Sequence, residues 1–174
     1  MKKTIITLAL VLLFFSTRLT NAQVAVESSA SLMGKSVGEG IDMREVILRQ
    51  YLESHNSQLA AYSAVFIKYA DEYNIDWRLV PAITGVESTF GKRIPYNSYN
   101  VYGWANGEYI FSSWDESIKI VTKALSEKYI ARGANTTAEI GRIYAPPSST
   151  WAKNVDFFKN KIEPLPIEYS LQNW

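Results

Sequence analysis

Glu87 is the residue of this chain best placed for acid chemistry. It falls in the segment Gly85-Val86-Glu87-Ser88-Thr89-Phe90-Gly91-Lys92. Apolar residues Leu79, Ile83, Val86 and Phe90, spaced i, i+4, i+7 and i+11, predict a helix that opens at an Asp76 N-cap and stops at Gly91. At 100° per residue Glu87 lies about 20° from Val80 and about 40° from Ile83, so its carboxyl leaves from the apolar side near the helix C-terminus. Partial desolvation and the negative end of the helix dipole both favour the neutral acid, the state that can protonate a leaving oxygen near neutral pH. Lys92 and Arg93 would act in the opposite sense if they folded back. The same position also suits a glutamate that skirts the core and reaches water, since Glu is almost never fully buried without a partner.

A glycosidic bond is broken by protonating its bridging oxygen while positive charge develops on the sugar, and a second carboxylate usually assists. Glu108 is the nearest candidate in sequence. The stretch Val101 to Phe111, with Asn106-Gly107 as a two-residue turn, predicts a β-hairpin. Alternation then puts Tyr102, Trp104, Tyr109 and Phe111 on one face, where aromatic rings can line a sugar cleft or pack on the helices, and turns Glu108 away with Val101, Gly103 and Ile110. Asp115 and Glu116 read more simply as acids at a helix N-terminus. A scheme with one acid is therefore considered, in which a group of the substrate itself takes the place of the second carboxylate. Tyr144 follows Ile140 and Ile143 at helical spacing and by itself reads as a core tyrosine.

Other chemistries find no residues. The chain has no cysteine, so disulfides, thiolate zinc sites and cysteine nucleophiles are excluded. His55 is the single histidine and falls in a predicted turn, expected to be solvated, without the three or four ligands a metal needs. No phosphate-binding glycine loop or Ser/His/Asp set is present, and neither cofactor nor metal is implied.

The elements that must hold Glu87 belong to one domain of residues 42–163. The full chain has 174 residues, 47% hydrophobic and 20% charged, enough for one core. Residues 1–22, with Lys2 and Lys3 ahead of an apolar run from Ile5 to Phe15 and ending Thr20-Asn21-Ala22, read as a secretory signal peptide; the run is shorter than the roughly 20 residues of a spanning helix. Its removal takes Lys2, Lys3 and Arg18 and no acid, which moves the net charge from +1 to −2 and gives no reason to expect a nucleic-acid partner. Residues 23–41 read as a flexible linker and 164–174 as a tail. Between them, Met43, Val46, Ile47 and Tyr51 predict a short helix, and Leu59, Tyr62, Phe66, Tyr69 and Tyr73 a second. After the Glu87 helix and the hairpin, Ser113-Trp114-Asp115-Glu116 opens a fourth helix, Thr136-Thr137-Ala138-Glu139 a fifth, and a serine after Pro146-Pro147 a sixth carrying Trp151, Val155, Phe158 and Ile162. The expected fold class is α+β, predominantly α, six helices around one small hairpin.

The Glu87 segment, followed by Asn100-Val101-Tyr102-Gly103-Trp104, by Phe111 with Ser113 to Ile118, and by Tyr144-Ala145, resembles the bacterial endo-β-N-acetylglucosaminidase domain of the lysozyme-like superfamily in order and spacing over residues 57–163. The Glu-Ser pair is similar, more distantly, to that of lytic transglycosylases and goose-type lysozymes. The resemblance implies a lysozyme-like helical lobe with a small β-lobe, Glu87 as general acid, Asn100, Tyr102 and Trp104 on the β-lobe side of the cleft, and Tyr144 facing the scissile bond. Pro146-Pro147-Ser148-Ser149 departs from the family's usual acidic turn. The implied protein is an exported, secreted or periplasmic, monomeric hydrolase of peptidoglycan glycan strands, with no membrane anchor after cleavage. The Asn100 to Trp104 segment puts glucosaminidase ahead of lytic transglycosylase, and a glycan-binding envelope protein without turnover is the reading from another class.

Overall fold

A computed structural model of the chain describes residues 40–162. The predicted signal peptide and tail, and nearly all of the linker, lie outside the described residues. The chain divides at Ile41/Asp42, and the fold below is that of the unit beginning at Asp42. Among the described residues there are six α-helices and no strand.

Helix α1 (Met43–Ser54) is capped by Asp42, whose carboxylate accepts the Arg44 N–H at 2.9 Å. It buries Leu48 and Leu52, with Ile47 and Tyr51 beside them, while Met43 is exposed. That line is rotated from the expected Met43–Val46 face. Arg44 sets the rotation by bridging Asp42 and Asp71, at 2.6 and 2.7 Å, and so ties the start of α1 to the end of α2. Ser57 caps a 3₁₀ turn (Gln58–Tyr62) through Leu59 N–H, and α2 (Ser63–Glu72) follows directly.

Helix α3 (Leu79–Ser88) occupies the centre and is buried over most of its circumference, including Leu79, Val80, Ala82, Ile83, Thr84 and Gly85. A helix enclosed this way must satisfy its own polar groups. Thr84 and Ser88 do so, donating their hydroxyls to the carbonyls of Pro81 at 2.7 Å and Thr84 at 3.0 Å. The helix ends earlier than Gly91: Thr89 and Phe90 already have φ of 54° and 58°, and Gly91 continues the left-handed run at 83°. Two non-glycine residues there cost about 1–2 kcal/mol each. Burial of Phe90 between Tyr51, His55 and Phe158 holds the turn in place, as does a 2.8 Å bond from the Ser57 hydroxyl to the Phe90 carbonyl. His55, expected to be solvated, stacks on Phe90 at 4.3 Å, and burial, then the nearby charge of Lys92, holds its pKa below the ordinary value.

Helix α4 (Trp114–Ala124) is capped by Ser113 and continues into a π turn (Leu125–Tyr129) and a 3₁₀ turn (Ile130–Arg132), closing at Gly133. Helix α5 (Thr137–Tyr144) carries the expected capping box between Thr136 and Glu139. In the departing Pro146 to Ser149 loop, the Ser148 hydroxyl accepts the Trp151 N–H at 3.0 Å, while α6 (Trp151–Lys161) has Thr150 at its N-cap position with no side-chain capping bond, in place of the expected serine cap.

The predicted hairpin is corrected. Residues 101–111 form turns around a short helical turn (Trp104–Gly107), left-handed at Ala105, Asn106 and Gly107, in place of two strands. Asn97, Tyr99, Gly103, Ala105, Asn106 and Gly107 all have positive φ, a conformation that breaks the extended pleat a strand requires. Three of the polar groups that a ladder would pair go to the Asn100 side chain, which donates to the carbonyls of Trp104 at 2.9 Å and Tyr109 at 3.0 Å and accepts the Trp104 N–H at 2.9 Å.

Helix α3 packs most extensively on α6, and Gly85 permits the close approach. A Cβ at Gly85 would lie 2.7 Å from the Phe90 ring and 2.9 Å from the Phe158 ring. Gly85→Ala is expected to destabilise the protein by about 1–3 kcal/mol through overpacking. Urea unfolding should show a lowered midpoint with an unchanged slope.

Candidate functional site

Glu87 lies one residue before the end of α3, half-buried, with its two carboxyl oxygens in different surroundings. Oε1 accepts a 2.6 Å hydrogen bond from the indole Nε1–H of Trp151, the first residue of α6. Oε2 has no hydrogen-bond partner among the described residues and faces Gly103, where a Cβ would come within 3.6 Å of it. Because Oε1 accepts from the indole, the proton of the neutral acid belongs on Oε2, the oxygen that looks past a residue without a side chain. Burial raises the pKa of Glu87 above its ordinary value of 4.5, and the Trp151 bond lowers it by less. Lys92 and Arg93 are exposed, and among the described residues neither they nor a second carboxylate contributes to the shift of Glu87.

Trp151 is 4% exposed. A buried indole N–H requires an acceptor, and Glu87 supplies it. Gly141 of α5 leaves room for the ring, since a Cβ there would meet it at 3.0 Å. On its other side the Trp151 ring stacks on Tyr144, with centroids 4.9 Å apart and planes at 27°. The Tyr144 hydroxyl donates at 2.8 Å to the Tyr102 carbonyl, immediately before Gly103. Burial, then the charge of Glu87, raises the Tyr144 pKa far above its ordinary value, so the residue remains a phenol. Glu87, Trp151, Tyr144 and the Tyr102-Gly103 backbone therefore form one connected group built from α3, α6, α5 and the Asn100 turn.

The remaining predicted residues separate. Asn100, at 2% exposure, is the staple of its turn and presents no amide to a ligand. Tyr102 and Phe111, at 2% and 1%, belong to the core and do not line a cleft; the Tyr102 hydroxyl is buried without a partner. Trp104 is half-buried and Tyr109 exposed, both rings resting against Phe111. Glu108 is exposed at the end of the left-handed segment and has no bond to Glu87. Trp151 and Gly103 were not singled out as site residues from the sequence. The signal for Trp151 was the indole N–H of a residue placed on a core-facing helix stripe, which had to find an acceptor. Glu87 lines none of four surface clefts; one of them includes its chain neighbours Gly85 and Val86, with Asn154, Phe157 and Phe158, and another lies at Trp104 with Ile120, Lys123, Ala124, Glu127 and Lys128.

Two outcomes follow from this geometry. The folded state holds the Glu87 proton more tightly than the unfolded state, so wild-type stability falls as pH rises from 4.5 through the raised folded value. Glu87→Gln keeps an acceptor for Trp151 and has no proton to lose, so thermal melts should show the variant gaining on wild type across that window and matching it below. Asn100→Ala removes three bonds and is expected to cost about 2–4 kcal/mol in urea unfolding. Comparison of the chain with protein-family models, with curated proteins and with solved structures finds no match.

Proposed function

We propose that this chain is an exported enzyme that cleaves β-1,4 glycosidic bonds in bacterial cell-wall glycan, with Glu87 as general acid, on a lysozyme-like scaffold whose Asn100 turn stands where the β-lobe would be. The observation that carries the reading is the asymmetry of the Glu87 carboxyl: one oxygen fixed by an indole, the other unbonded, in surroundings that favour the protonated state. Such a group can give its Oε2 proton to the bridging oxygen as the bond to the sugar C1 breaks. The motif order of Glu87, Asn100 to Trp104 and Tyr144 points to N-acetylated glycan.

With no second carboxylate acting at Glu87 among the described residues, the cation at C1 is met by the substrate. In the glucosaminidase reading the 2-acetamido oxygen bonds to C1, and water then opens that ring, returning a proton to the Glu87 carboxylate and leaving a reducing sugar. In the transglycosylase reading the 6-hydroxyl attacks C1 and its proton goes to Glu87, leaving a 1,6-anhydro end. Tyr144 acts here as a positioning residue, holding the Tyr102-Gly103 backbone over the acid. The third reading, binding without turnover, is favoured by the exposed position of Glu108.

Digestion of purified sacculi followed by mass spectrometry separates these readings. Reducing N-acetylglucosamine ends are expected; anhydro-muramic ends would assign the transglycosylase, and no release would leave a binding protein. Glu87→Gln should lower product formation by about 10²-fold or more. Activity should fall as pH rises through the Glu87 pKa, because the protonated form is the reactive one. Unchanged product yield in the variant contradicts the assignment.

A further inference from the structure

A groove of about 440 Å³ is bordered by Gly85 and Val86 of α3 and by Asn154, Phe157 and Phe158 of α6. It lies on the seam of the two helices that contact each other most. Phe157 is 58% exposed, while Val86 and Phe158 are half-buried. Lys153, Phe157 and Lys161 follow one another at i, i+4 and i+8 on α6, so they form one stripe within about 80°. Both lysines are exposed and have no ion pair among the described residues, whereas Lys159 is committed to Asp156 at 3.4 Å. Lys161 stands 6.0 Å from the centre of the Phe157 ring. The exposed ring is therefore flanked along the helix by two cations that lack an acid.

We propose that residues 163–172 of the same chain fold back along α6 and fill this groove as an extended segment. The sequence beyond Ile162 reads Glu163-Pro164-Leu165-Pro166-Ile167-Glu168-Tyr169-Ser170-Leu171-Gln172. Pro164 and Pro166 lack the N–H that a helix interior needs, so α6 cannot continue through them. Leu165, Ile167, Tyr169 and Leu171 fall at every second position, the pattern of an extended chain with one face to bury. The lengths agree as well. At the helical rise, Ile162 stands about 13 Å beyond Lys153 along α6. With a reversal at Glu163-Pro164, the extended residues 165–168 cover about 13 Å in the opposite direction. Glu168 then comes level with Lys153, Glu163 stays beside Lys161, and Leu165 and Ile167 fall on either side of Phe157. Asn154 offers an exposed amide to the backbone of such a segment. The proposal does not depend on the reaction assigned to Glu87.

Because the chain has no cysteine, Ser170→Cys gives the full-length protein a single site for a nitroxide label. Its paramagnetic broadening of backbone amide signals, measured by NMR against the reduced label, is expected to be strongest at Val86, Asn154 and Phe157. Phe157→Ser, at an exposed position, should abolish that pattern. Lys153→Glu should weaken the docking equilibrium about two- to fivefold, the range of one exposed charge pair, and Glu168→Lys in the same chain should restore it. Absence of broadening at the groove overturns the proposal, whatever other surfaces show. A groove pattern that Phe157→Ser leaves unchanged overturns it as well. So does a pattern that arises only between nitroxide-carrying molecules and a separate isotope-labelled copy, since a second molecule then occupies the groove.

Discussion

The hydrogen bond from the Trp151 indole to Glu87 joins the two helices that contact each other most and fixes a half-buried carboxyl between them. Each partner answers a need of the other. A half-buried carboxylate without a donor and a buried indole without an acceptor would both be destabilising, and a single 2.6 Å bond satisfies them. The bond takes only one oxygen and tilts the titration toward the carboxylate by less than burial tilts it toward the acid. What remains is a carboxyl that is oriented and still favours its proton, which is the condition for acid catalysis.

Several small residues exist to allow that bond. Gly85 lets α6 approach α3, and Gly141 admits the Trp151 ring against α5. Gly103 keeps the space before Oε2 clear. Thr89, Phe90 and Gly91 turn the chain left-handed at once after the helix, so Glu87 sits at a helix end held by buried aromatic packing. Non-glycine residues in this conformation persist where the surroundings over-determine them, and such strain collects near functional sites. Tyr144 completes the arrangement from α5, stacking on the indole while its hydroxyl holds the Tyr102 carbonyl.

The helical part of this arrangement was legible in the sequence because helices with one apolar stripe and a capping residue announce both their extent and their buried face. The Ser113 and Thr136 caps fall where the serine and threonine indicate, whereas the last helix starts after Thr150 without a side-chain cap. The position of Glu87 on α3 could be read from a 100° rotation per residue, and its half-burial follows. The Asn100 turn could not be read the same way. Its alternating aromatics have strand periodicity, but a buried side-chain amide can satisfy the same backbone groups as a partner strand, and periodicity does not register that competition. For that reason Tyr102 and Phe111 look like cleft residues in sequence and are core residues in space. The Trp151 pairing was hidden for a related reason: a stripe of apolar positions says that an indole is buried and not where its N–H points.

The claim underneath the account is that the folded protein keeps Glu87 protonated beyond the range of an ordinary glutamate. Carbon-13 NMR titration of the Glu87 side-chain carboxyl in the folded protein measures this without reference to any substrate. A midpoint above 4.5 is expected, moving further up in Trp151→Phe, where the donor that favours the carboxylate is gone. A midpoint at or below 4.5 in the folded wild type, or a downward move in Trp151→Phe, would contradict it.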